Sequence, residues 1–86
     1  MTKHHQASAR GVTIKDLREW LATFPPEFDD THIQGIVSGR RTPFQAKRLV
    51  LYRYKDGSTG GLYVNPMGSH VSDEFWAEIE PLSVLS

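Results

Sequence analysis

Asp56-Gly57 is the feature that most restricts what this chain can fold into. An Asp-Gly pair favours a two-residue hairpin turn, because such turns need positive φ, which glycine adopts without steric cost. Strand-like residues flank it, Leu49 to Tyr54 before and Leu62 to Val64 after. A two-residue turn sets Lys55 opposite Ser58. Pairing outward from there places Tyr52 opposite Gly61, Leu51 opposite Leu62, Val50 opposite Tyr63 and Leu49 opposite Val64. This register sorts the side chains by chemistry. One face carries Leu49, Leu51, Leu62 and Val64, and the other carries Val50, Tyr52, Tyr54, Thr59 and Tyr63. A slip of one residue would mix the two sets. Tyr52 would also cover the bare backbone of Gly61. A longer turn through Gly60-Gly61 is the alternative, and it would change the pairing.

A helix precedes the hairpin. Thr13 has the character of an N-cap, and Asp16 stands where a capping-box acid reaches back. Val12 and Leu17 have the spacing of a hydrophobic staple. Ile14, Leu17, Leu21 and Phe24 recur at helical intervals, and Trp20 widens the stripe. Pro25-Pro26 ends the pattern, since neither residue has an N–H to donate. The expected helix runs from Ile14 to about Thr23.

Glu27 to Asp30 reads as an acidic turn, Thr31 to Val37 as a weak strand, and Ser38 to Pro43 as a loop. Asn65-Pro66-Met67-Gly68 is a turn. Beyond it, Ser72 could cap a helix with Asp73 and Glu74 in its first turn. Phe75, Ala77 and Ile79 alternate with polar or large residues as a strand would. The preferred reading is a short helix ended by Pro81.

These elements fit an α+β domain: one N-terminal helix packed on a small antiparallel sheet of three or four strands, with a short C-terminal helix or turn. Ile14, Leu17, Leu21 and Phe24 are expected to pack on Leu49, Leu51, Leu62 and Val64. Residues 1–11 read as a flexible tail, 12–82 as one domain and 83–86 as a C-terminal tail. With 86 residues the core is thin.

Composition narrows the chemistry. The chain has no cysteine, so disulfides, thiolate nucleophiles and cysteine-ligated zinc are excluded. That absence, with a polar N-terminus that has no apolar signal segment, leads us to expect a cytoplasmic protein. No apolar run is long enough to span a membrane. Net charge is zero, yet Arg40, Arg41, Lys47, Arg48, Arg53 and Lys55 fall together, and Asp56, Asp73, Glu74, Glu78 and Glu80 follow them. A neutral chain exerts no global pull on polyanions.

The stretch Val12-Thr13-Ile14-Lys15-Asp16-Leu17-Arg18-Glu19-Trp20-Leu21, followed by Phe24-Pro25-Pro26-Glu27-Phe28-Asp29-Asp30, resembles the opening of many short phage, prophage and bacterial accessory proteins. Those begin with a Thr-capped helix and a Pro-Pro-acidic turn. The resemblance implies a small α+β accessory protein. It transfers no activity and no functional residue.

Catalytic constellations are wanting. His4 and His5 adjoin each other, while His32 and His70 are isolated, so no pair has the spacing of a zinc site. No metal and no cofactor is expected. Ser69, His70, Ser72, Asp73 and Glu74 supply the residue types of a nucleophile, base and orienter but crowd one short segment. They read as a polar turn leading to a cap. The glycines after Asp56 lack the following helix of a phosphate loop.

The hairpin tyrosines hold the most functional interest. Arg48, Tyr52, Arg53, Tyr54 and Tyr63 could together anchor a protein partner, with aromatic residues ringed by arginines. The competing reading buries the tyrosines under Phe75 or Trp76. The function expected is that of a non-enzymatic accessory protein acting on another, unidentified protein; association with a second copy stays open. The alternative is a nucleic-acid-binding module using segment 40–55 and its tyrosines.

Overall fold

In the computed structural model, residues 2–35, 45–66 and 72–86 are described. The expected loop at Ser38 to Pro43, Arg40 and Arg41 of the basic segment, and Ser69 and His70 lie outside them.

The described residues form five strands and two α-helices, in the order β1 (Lys3–His5), α1 (Ile14–Leu21), β2 (Ile33–Gly35), β3 (Ala46–Tyr54), β4 (Gly61–Pro66), α2 (Asp73–Glu78) and β5 (Ile79–Leu85). A 3-10 turn, Pro26–Phe28, follows α1. The strands form one sheet in the order β1-β5-β3-β4-β2. The architecture is thus mixed α and β, as expected, but the sheet is not the small antiparallel one. β1 runs parallel to β5 and β2 parallel to β4, and only β3 opposes its neighbours.

Parallel strands cannot be joined by a tight turn and need a crossover, usually helical. There are two such crossovers. From β1 the chain passes through α1 to β2 at the far edge, and from β4 it passes through α2 to β5. Leu17 and Trp20 of α1 pack with Leu49, Leu51, Leu62 and Leu85, whereas Phe75 and Trp76 of α2 pack with Val50, Tyr52, Tyr63 and Val84. Both faces of the sheet are therefore covered, each by its own small core.

The hairpin register is the one the side-chain sorting predicts: Leu49↔Val64, Val50↔Tyr63, Leu51↔Leu62 and Tyr52↔Gly61. The ladder stops at Tyr52↔Gly61, and the backbone turns through Gly57 at φ 90°. Asp56 Oδ1 accepts the Ser58 N–H at 2.8 Å and the Ser58 hydroxyl at 2.6 Å, which locks the turn.

Helix α1 starts as its capping residues dictate. Thr13 Oγ1 accepts the Asp16 N–H at 3.1 Å, and Asp16 Oδ2 accepts the Thr13 N–H at 3.0 Å. The same carboxylate accepts the Ser8 N–H at 2.8 Å. Its docking face, however, is rotated from the expected one. Ile14 is 77% and Leu21 43% exposed, while Trp20 is 1% exposed. Leu17 and Phe24 belong to both possible stripes. Burying the large indole on their other flank removes more apolar area from water than burying Leu21 would.

Both expected tails contain strand residues. Residues 3–5 pair with β5, and the Ser86 N–H donates to the His5 carbonyl at 3.0 Å. The segment expected to end at Pro81 continues as β5, between β1 and β3. Proline is tolerated there because the register shifts between Leu51↔Ser83 and Tyr52↔Pro81, a bulge where a ladder N–H is not required. The shift also turns both Leu82 and Ser83 towards the α1 core, where Leu82 packs and Ser83 meets Trp20.

Candidate functional site

The five residues expected to form one partner surface are divided by the fold. Tyr52 and Tyr63 are 3% and 7% exposed, inside the α2 core. Phe75 packs edge-on against Tyr52, with centroids 5.3 Å apart, and tilted against Tyr63 at 5.4 Å. Tyr54 is half-buried and edge-on to Tyr52 at 5.6 Å. The tyrosine face is thus packing, because the β4–α2–β5 crossover lays Phe75 across it. Arg53 is exposed and paired with Glu80 at 3.5 Å. Arg48 is half-buried, with its guanidinium carbon 5.8 Å from the centre of the Trp76 ring.

The buried hydroxyls answer to this environment. Tyr52 donates its O–H to Gln34 Oε1 of β2. Burial, reinforced by the neighbouring Tyr54, pushes the Tyr52 hydroxyl up to about 12. Burial also raises Tyr63, whose hydroxyl, like Asn65 Oδ1, has no hydrogen-bond partner among the described residues. These phenols stay protonated at neutral pH.

The other polar clusters are structural where they are described. Ser72 Oγ accepts the Phe75 N–H at 3.3 Å and so caps α2. Asp16 is held down to about 2, chiefly by the hydrogen bond from the Thr13 backbone N–H. Among the described residues no three His, Cys, Asp or Glu come together as a metal site, and no helix is long and apolar enough to cross a membrane.

Two surface features stand out instead. On the α1 face, Leu21, Phe24, Phe28, Ile33 and Leu62 line a groove of about 280 Å³ beside β2. Ile33 is 74% exposed although it lies in a strand. Glu27, Asp29 and Asp30 stand exposed along the adjoining turn. The second feature is a hollow of about 360 Å³ on the α2 face, bounded by Arg48, His4 and Trp76. The sequence places Ile33 in a weak strand and groups the arginines with the tyrosines. The one available signal for the groove was the weakness of the Ile33 strand beside an acidic turn.

The chain matches no protein-family model, no curated protein and no solved structure.

Proposed function

We propose that this chain is a non-enzymatic accessory protein of phage or bacterial type that acts by binding another protein, and that the groove beside β2 receives the partner. The observation that carries the reading is the pair of apolar side chains at that groove, Ile33 at 74% and Leu21 at 43% exposure. Apolar side chains grouped at a groove, with polar residues around it, mark interaction surfaces. β2 is an edge strand, and no described strand pairs with its outer side. Its outer backbone groups, which no described strand pairs, suit an extended segment that adds to the sheet, with alternate side chains dropping into the groove. Glu27, Asp29 and Asp30 favour basic residues flanking the apolar ones of that segment. The occupant is therefore an extended, apolar stretch of another protein with Lys or Arg at its ends. The resemblance of residues 12–30 to phage and bacterial accessory proteins supports the same reading.

The nucleic-acid alternative has less support. Buried Tyr52 and Tyr63 offer no face to a base, and base stacking is the main sequence-tolerant contribution in single-strand binders.

Selection of a random-peptide library on the folded protein tests the proposal. Enriched peptides should alternate apolar residues between basic ones. Their binding should vanish in Ile33→Asp while the melting temperature holds. Enrichment of no common pattern, or unchanged binding to Ile33→Asp, would sink it.

A further inference from the structure

A second site lies on the opposite face of the sheet from the groove and is independent of it. We infer that the hollow between Arg48, His4 and Trp76 binds a small organic anion, a carboxylate or phosphate monoester with a planar apolar body.

The strand register assembles the site. Val50↔Val84 and His4↔Val84 align β3, β5 and β1, so His4 shares a face with Val50 and Val84. Arg48 lies two residues before Val50 on the same face. Val50, Val84 and Pro81 give the hollow an apolar floor, and Trp76 of α2 gives it a wall. Its volume, about 360 Å³, lies at the small end of ligand cavities.

Among the described residues no carboxylate is paired with the Arg48 guanidinium. Among the described residues the ion pair formed is Arg53–Glu80, and no side-chain hydrogen bond involves Arg48. No Asp or Glu side chain lines the hollow. The Ser86 carboxylate stands at its rim, where one of its oxygens accepts the Ala7 N–H at 2.8 Å. The Arg48 guanidinium is nevertheless not loose, since Trp76 lies against it. A guanidinium held in place with its donors unspent suits two parallel hydrogen bonds to a carboxylate or phosphate. The His4 imidazole adds a further donor, and the ligand's apolar body would lie against Pro81 and the Trp76 ring.

Amide NMR titration of the full chain with benzoate and with phenyl phosphate tests this, with benzyl alcohol and benzylammonium as controls. The anions should produce saturable shifts at residues 4, 48–50 and 84, and the controls should not. The tighter of the two anions identifies the source as carboxylate or phosphate. Arg48→Met should weaken binding at least ~10-fold, the loss expected for charge-assisted hydrogen bonds. Arg48→Lys keeps the charge without the fork and should fall between. Far-UV circular dichroism and melting confirm that each variant is folded. The inference is overturned if neither anion gives saturable shifts, if benzylammonium binds as well, or if Arg48→Met, folded, binds like the parent. None of these outcomes bears on the β2 groove, whose lining is on the other face.

Discussion

Trp20 Nε1 donates a hydrogen bond to Ser83 Oγ across 2.8 Å, joining α1 to β5 over 63 residues of sequence. Both residues are buried, at 1% and 5% exposure. The bond accounts for a hydroxyl in the α1 core and for an indole N–H that would otherwise be stranded there. Ser83→Ala removes the acceptor but little volume. It should cost about 1–3 kcal/mol, the penalty of an unsatisfied buried donor. The denaturant midpoint should fall at unchanged m-value. An unshifted midpoint would mean that the indole N–H finds another acceptor.

The hairpin glycines should separate sharply. Gly57 sits at φ 90° with nothing near its Cα hydrogens, so Gly57→Ala meets backbone strain alone and should cost about 1 kcal/mol. A Cβ on Gly60 would overlap the Tyr52 carbonyl oxygen and the Arg53 Cα. Gly60→Ala therefore has to displace β3 and should be much the more damaging. Thermal melts of the two variants, three residues apart, give the comparison; equal losses would contradict the close approach.

Leu51→Ala should cost about 2–5 kcal/mol, a large share of the stability of so small a domain. Leu51 is 3% exposed and packs in the α1 core. Ser58→Ala, on the exposed turn, should cost far less. Urea denaturation of the pair ranks them, and a Leu51→Ala midpoint as high as that of Ser58→Ala would remove Leu51 from the core.

Acid should weaken the start of α1 over a defined window. Asp16 has its folded pKa depressed to about 2 from an ordinary value of 3.8. A depressed acid stabilises the fold above its unfolded pKa, and that contribution fades as pH falls through the folded value. The difference in stability between the parent and Asp16→Asn should be constant above about pH 5 and shrink towards pH 2. Thr13→Ala, which removes the other half of the capping box, should cost about 1 kcal/mol. A difference that stays flat down to pH 2 would show that the carboxylate is not held by those N–H groups.

Fluorescence anisotropy with labelled single- and double-stranded oligonucleotides should show no sub-micromolar binding at about 150 mM salt, where even non-specific binders reach only about 10⁻⁴–10⁻⁶ M. Net charge is zero and the large tyrosines are buried. Tight binding that falls steeply with added salt would restore the nucleic-acid reading.

What the sequence by itself determined lies within short reach along the chain or across one turn. The Thr13–Asp16 box spans three residues, and the Asp56-Gly57 turn places Leu51 opposite Leu62 without help from elsewhere. Ser72 capped α2 for the same local reason. Tertiary structure decided the rest. Lys3–His5 has no strand pattern of its own and becomes β1 only because β5 offers an edge. Ile79–Leu85 carries a proline and becomes an interior strand only because the bulge and two neighbours accommodate it. Whether Leu21 or Trp20 faced the sheet, and whether the tyrosines met solvent or Phe75, depended on where the two crossovers landed. Local sequence specifies hydrogen bonds between near neighbours, but the choice among faces is made by the apolar area that distant segments bury together.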